Sequence, residues 1–258
     1  MGLLPNDGPL HRVCENGAAC WGEAQDRLPP DEGETGCISQ PWVGSRYRDL
    51  RLAAIGVNLN EYGGLNALVE LTEEAKELIA EGCRRVRFHN TYNEYAGSFL
   101  WHRLGAYAAA IAETSRVAFV EWGDDGYPLP KNVAQSFDMI AFMEHVKCAP
   151  IGEKSKPTTA MWKRCGAHIL RNELEILRPA QLLILGTSDN ARYLSVQVLD
   201  AKMDCVIQHG SVISAIGSIA GNVIKIIVVP HPTSYGGASR AILDDLKQVL
   251  HRINGCAT

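Results

Sequence analysis

The 258-residue sequence predicts an α/β protein with a three-layer α/β/α architecture around a central parallel sheet. Three observations carry that prediction. Short, wholly apolar runs recur along the chain, as strands buried on both faces require. Longer segments with apolar residues at helical spacing lie between them, and alternation of strand and helix builds a parallel sheet. Most apolar runs also lead into a polar loop rich in Gly, Asn or Pro. Ligands of such sheets bind beyond the carboxyl ends of the strands.

Taken in order, residues 1–48 stand apart. Stretches such as NDGPL and RLPPDEGETG predict loops with little periodicity. This segment is expected to be an extension, with residues 49–258 forming the domain proper. LAAIGV is a short buried strand opening into GVNLNEYGG. LTEEAKELIAEG has acids in its first turn and Gly82 after its end, the pattern of a helix. GSFLWHRLGAYAAAIAE is a second helix. VAFVEW reads as a strand, and FDMIAFMEHVKC contains another. TTAMWKRCGAHILRNELEILRP opens on threonines and stops at Pro179, as one helix. AQLLILG is a strand followed by the helix TSDNARYLSVQVL. VIKIIVVPHP is the strongest strand signal, and SRAILDDLKQVLHRI is the closing helix. No internal repeat is present.

Composition sets outer bounds. The chain is 46% hydrophobic with a formal net charge of −4, enough apolar content for a sizeable core. A balanced charge does not mark a nucleic-acid binder, but a local basic patch binds phosphate on an acidic protein. No apolar run approaches the roughly 20 residues that span a bilayer. The start MGLLPNDGPL lacks the basic and apolar regions of a signal peptide, and Asn6 breaks the myristoylation pattern. A cytoplasmic protein is expected, with no membrane and no obligate protein partner inferred. Its eight cysteines are not expected to form a disulfide framework in that compartment. Cys83, Cys205 and Cys256 read as packing or surface residues.

Two loops stand out. Gly56 ends the first strand and Asn58 lies two residues on; an amide there can hold a water, although Asn and Gly also favour turns. His231 stands after the most apolar strand, between Pro230 and Pro232. A rigid Pro-His-Pro presents an imidazole able to stabilise negative charge developing on an oxygen. Gly236 and Gly237 permit close backbone approach, and Arg240 opens the closing helix, where it can meet phosphate. An ordinary strand-loop-helix connection explains the same residues.

Together the loops, in order over roughly residues 50 to 250, resemble the uracil-DNA glycosylase superfamily. GVNLN is similar to the Gly-x-Asn-Pro-Gly loop of its mismatch-specific branch, HPTS to its His-Pro-Ser loop, and YAG (Tyr95–Gly97) to its Phe-x-Gly segment. The resemblance implies that Asn58 positions the attacking water. It further implies that His231 contacts the base oxygen, Thr233 and Ser234 the flipped nucleotide's phosphate, and Tyr95 the base face. A base inside the duplex is unreachable, so such an enzyme must extrude the nucleotide. Neither loop carries a lysine, so water rather than a Schiff base is the expected nucleophile.

The segment MEHVKCAPIGEKSKPTTAMWKRC resembles the iron–sulfur branches, whose later cysteine pair flanks the loop after a Val-Lys-Cys strand end. Cys148 and Cys165, with sixteen residues between them, match that pair. Cys14, Cys20 and Cys37 supply the N-terminal candidates, though their spacings depart from the family's close pair. Four thiolates suit a [4Fe–4S] cluster or zinc; the resemblance implies the cluster, with zinc or no metal as alternatives. Between His145 and Arg178 seven basic residues oppose three acids. Lys147, Lys154 and Lys156 are the expected DNA contacts, together with Arg240.

Base identity hinges on Glu144. The cluster-containing families have a base-reading Asn where this chain has Glu144. An Asn gives N–H to uracil O4 and accepts from N3–H, whereas an ionised Glu only accepts. Glu repels uracil O4 and complements the N4 amine of cytosine; a buried, protonated Glu could donate to N3. Asn60 stands where uracil-strict members have a bulky Tyr, leaving room beside C5. The expected activity is a monofunctional glycosylase acting on double- or single-stranded DNA that contains a 5-modified cytosine, such as the glucosylated hydroxymethylcytosine of phage DNA, in antiviral defence. A plain uracil-DNA glycosylase of base-excision repair is one alternative, and a non-catalytic DNA-binding module of the same fold is another.

Overall fold

The structure, a computed structural model, describes residues 42–57, 96–146, 157–187, 189–200, 203–232 and 239–255. Among them seven strands form one sheet: β1 (Trp42–Val43), β2 (Leu52–Gly56), β3 (Ile140–Glu144), β4 (Gln181–Leu185), β5 (Asp204–His209), β6 (Val212–Ile219) and β7 (Asn222–Val229). Their order is β1-β3-β2-β4-β7-β6-β5. The four central strands are parallel, and they are the apolar runs that the sequence marks. Every residue of β2, β3 and β4 is buried, which fits strands covered on both faces.

Side chains alternate between the two faces along each strand. Leu52, Ala54, Phe142, Leu183, Leu185, Ile227 and Val229 pack under α2 (Ala96–Thr114) and α7 (Arg240–Asn254) through Leu104, Tyr107, Ile111, Leu243, Leu246 and Leu250. Ala53, Ile55, Met143, Leu182, Ile184 and Val228 face the other way, against Leu174, Leu177 and Leu194. Leu174 and Leu177 belong to α5 (Arg171–Leu177), Leu194 to α6 (Asp189–Gln197). The expected α/β/α layering is present, and two short helices, α1 (Tyr47–Leu50) and α3 (Pro130–Ser136), complete it.

The central strands β3, β2, β4 and β7 are parallel, as expected, and β5, β6 and β7 add an antiparallel meander. The hairpin turns carry left-handed residues, Gly210 (φ +53°) and the Ala220–Gly221 pair (φ +49° and +74°), as tight hairpins with the right twist require. VAFVEW is no strand. It closes α2 instead: Arg116 is left-handed (φ +58°), its N–H donates to Glu113 O and that of Val117 to Ala112 O, both at 2.9 Å. That is a Schellman closure, and only an isolated bridge from Trp122 to Pro128 follows. The long helix from Thr159 is also not uniform. It runs as α4 (Thr159–Arg164), a π-helical segment at Cys165–Leu170, then α5. The π segment brings Gly166 against a neighbour: a Cβ there would lie 2.8 Å from His145 Nε2 and 3.1 Å from Gln197 Cβ. The helix expected over LTEEAKELIAEG lies outside the described residues.

Asn190, at the start of α6, ties the strand ends together. Its Nδ2 donates to Ile55 O at 3.1 Å, Gly56 O at 3.3 Å and Leu185 O at 3.0 Å, and its Oδ1 lies 2.9 Å from His145 Nδ1. Carbonyl oxygens only accept, so the amide can face only one way; its oxygen then accepts, and the His145 proton sits on Nδ1. Asn190 is 2% exposed, so water cannot replace these bonds. An orphaned buried polar group costs about 1–3 kcal/mol. Asn190→Ala is therefore expected to destabilise the fold by at least about 2 kcal/mol in denaturant titration. Asn190→Asp, which sets a carboxylate against three carbonyls, should cost more; equal or better stability for Asp would contradict the clamp.

Candidate functional site

Parallel strands bring their carboxyl ends to one edge, and the order β3-β2-β4-β7 decides which residues meet there. Glu144 ends β3, Gly56 ends β2, Gly186 follows β4 and His231 follows β7. Gly56 is in register with Glu144. The Gly186 N–H donates to Val229 O at 2.8 Å, continuing the β4–β7 ladder. At the ordinary strand spacing, Glu144 and His231 are separated by roughly 14 Å of backbone, with two glycines between them.

Those glycines make the floor. A Cβ on Gly56 would lie 2.2 Å from Glu144 Oε2 and 2.8 Å from its Cδ, so the carboxyl group folds over Gly56 and any side chain there would displace it. Glu144 is only 4% exposed: it belongs to the interior of this edge and not to the protein surface. Gly186 has φ +106°, and a Cβ there would stand 4.0 Å from His231 Cβ. Pairing also runs past the strands, with His145 N–H donating to Gly56 O at 3.1 Å and Val146 N–H to Val57 O at 2.9 Å.

His231 is half-buried, and that burial lowers its pKa from the ordinary histidine value. The imidazole is therefore neutral at neutral pH and can donate one N–H. Its backbone is held from both sides by α2. Tyr107 OH donates to Pro230 O at 3.4 Å, and the Arg103 guanidinium donates to Pro232 O. Residues 103 and 107 are one helical turn apart and so share a face. A row with a carboxyl acceptor at one end, an imidazole donor at the other and glycines beneath can hold a flat polar ring edge-on at both sides.

A second layer backs Glu144. The buried His145 ring meets Trp162 edge-on at 4.7 Å, and Trp162 stacks on Tyr193 at 5.5 Å. Cys165 is buried beside Val146, Met161 and Trp162 and is not in a disulfide. Cys205, expected as a packing or surface residue, is instead disulfide-bonded. Arg240 does open α7, after an N-cap in which Ser239 Oγ accepts from Ile242 N at 3.5 Å. Its exposed side chain lies over Gly126, where a Cβ would come within 2.8 Å, and 3.9 Å from Asp244.

Asn58, Asn60, Tyr95, Thr233, Ser234, Lys147, Lys154, Lys156, Cys14, Cys20, Cys37 and Cys148 lie outside the described residues. Among those described, no group of three or more His, Cys, Asp or Glu is arranged for a metal, and no helix is long and apolar enough to cross a membrane. Sequence reasoning missed Arg103, Tyr107, His145 and Asn190. The i, i+4 spacing of Arg103 and Tyr107 was visible, but what that helix face meets depends on the strand order.

No curated protein matches the chain. The family model described as the uracil DNA glycosylase superfamily matches residues 80–250, which takes in β3, β4, β7 and thus Glu144, Gly186 and His231. On this match over well more than half its length, the chain belongs to the uracil DNA glycosylase superfamily, whose members are DNA glycosylases.

Proposed function

We propose that this superfamily member is a monofunctional DNA glycosylase that excises a 5-modified cytosine. The observation that carries the reading is the Glu144 carboxyl group, buried over Gly56 at one end of the row that His231 closes. The target nucleotide leaves the duplex and its base lies along the row. As an acceptor, Glu144 takes the exocyclic N4 amine and opposes the O4 of uracil. The N1–C1′ bond breaks heterolytically, its electron pair leaving with the base. Neutral His231 donates to base O2, where negative charge develops. Water held by Asn58 adds to C1′ of the oxocarbenium-like sugar and loses its proton. The products are the free base, which takes up a proton, and an abasic site. Asn60, smaller than tyrosine, leaves room for the C5 substituent. Lys147, Lys154, Lys156 and Arg240 supply phosphate contacts, Thr233 and Ser234 hold the flipped nucleotide's phosphate, and Tyr95 stacks on the base. Bases of this kind occur in phage DNA, which makes antiviral defence the setting we favour.

Cys148 and Cys165, with two of Cys14, Cys20 and Cys37, are the residues that would hold a [4Fe–4S] cluster. The buried thiol of Cys165 among Val146, Met161 and Trp162 fits a soft, solvent-shielded thiolate ligand. The cluster would fasten the N-terminal segment to the domain.

Five outcomes test these assignments. Oligonucleotides bearing 5-modified cytosine, uracil or cytosine, treated with enzyme and then alkali, should be cut at the modified cytosine. Asn58→Ala and His231→Ala should each lower that rate by roughly 10²–10³-fold while still binding DNA. Glu144→Gln, which can donate as well as accept, should shift preference toward uracil; cutting at uracil alone by the unaltered chain would leave a plain uracil glycosylase. Arg103→Met and Tyr107→Phe, which loosen the His231 backbone, should lower kcat by roughly 10-fold to 100-fold with KM for DNA unchanged, and Arg103→Lys should restore part of the loss. Purified protein should be brown and contain iron and sulfide, and Cys165→Ala should lose both; a colourless protein holding stoichiometric zinc would replace the cluster with zinc.

A further inference from the structure

At the opposite end of the sheet from Glu144 and His231 lies a cavity of about 510 Å³, lined by Thr114, Ser115, Arg116, Lys225, His251 and Asn254. Its position follows from the register: Lys225 pairs with Gln181, the first residue of β4, whereas Val229 pairs with Leu185 at the candidate site. Among the described residues the lining holds three basic side chains and no carboxylate. Among the described residues neither the Arg116 guanidinium nor the His251 imidazole has a hydrogen bond or ion pair. Lys225 Nζ donates only to Asn254 Oδ1, at 2.5 Å. Glu113, which precedes Thr114 in the chain, is engaged elsewhere, accepting from Trp122 Nε1 at 2.8 Å and lying 3.5 Å from Lys247.

Basic residues often gather at helix carboxyl ends to meet open carbonyls, and α2 and α7 both end here. Several of those carbonyls are already taken. In α2 the O atoms of Ala110, Ile111, Ala112 and Glu113 accept from Thr114 Oγ1 and the N–H groups of Ser115, Val117 and Arg116; in α7 the Gly255 N–H closes Arg252 O and Ile253 O. Arg116 moreover occupies the left-handed position (φ +58°) of the Schellman closure, where glycine is the unstrained choice. Burial lowers the pKa of Lys225 from the ordinary lysine value, the behaviour of a cation held without a counter-charge.

We propose that this cavity is an oxyanion site that takes a phosphate group, as the free ion or as the phosphate of a mononucleotide. Arg116 and Lys225 supply the charge, and Ser115 and Asn254 add neutral donors. The volume is that of an ordinary small-ligand pocket. The proposal is independent of the base that the candidate site removes.

Calorimetric titration of the full chain with inorganic phosphate, at ionic strength fixed with chloride, tests it. Saturable binding is expected. Lys225→Gln and Arg116→Gly should each weaken it at least about tenfold, and His231→Ala should leave it unchanged. Arg116→Gly also relieves the left-handed strain, so its thermal midpoint should equal or exceed that of the parent, which separates lost binding from lost structure. Competition by a nucleoside 5′-monophosphate, but not by the nucleoside, assigns an esterified phosphate; binding of inorganic phosphate alone assigns the free ion. The proposal is overturned if neither probe binds saturably, if both cavity substitutions leave binding intact, or if His231→Ala abolishes it.

Discussion

The amide of Asn190 holds three strand ends in place from one buried position. It donates to the carbonyls that close β2 and β4 and accepts from the imidazole that follows β3. Without it the ends of β2 and β4 have polar backbone groups buried at the point where the ladder stops, a costly arrangement. With it the carbonyl of Gly56 is fixed, Glu144 is set in register beside it, and the mouth of the sheet has a defined width. The candidate site is thus a property of the strand ends and of one side chain from α6, before any loop contributes.

The two ends of the row are made rigid by different means. At the Glu144 end, burial, the His145–Trp162–Tyr193 aromatic layer and the π segment at Cys165 pack the region behind the strand. π segments concentrate at functional positions, and this one brings Gly166 into contact with His145. At the His231 end, two prolines restrict the backbone and α2 holds the carbonyls on either side of the imidazole. In the function we propose, both ends must be fixed together, because they act on opposite edges of one ring.

Much of this was legible in the sequence, for physical reasons. Strands buried on both faces are largely apolar, so the runs within LAAIGV, FDMIAFMEHVKC and AQLLILG declared themselves, and the chain direction of a parallel sheet then placed Gly56, Glu144 and His231 at one edge. The meander of β5 and β6 was not found, because its edge strand alternates between exposed and half-buried residues and lacks a continuous apolar run. VAFVEW failed in the opposite direction: its apolar residues close and cover the end of α2, and Phe119 points to solvent, 83% exposed. Asn190 and Arg103 could not be found from one sequence. Each acts across more than 100 residues of chain, on backbone groups that any residue type would provide.

We propose that the Glu144 carboxyl group turns this site from uracil toward an amino-bearing pyrimidine. The most direct measurement is mass spectrometry of the free bases released when the enzyme acts on a mixture of uracil-containing DNA and phage DNA with 5-modified cytosines. The account predicts a modified cytosine as the principal released base. Release of uracil alone would contradict it.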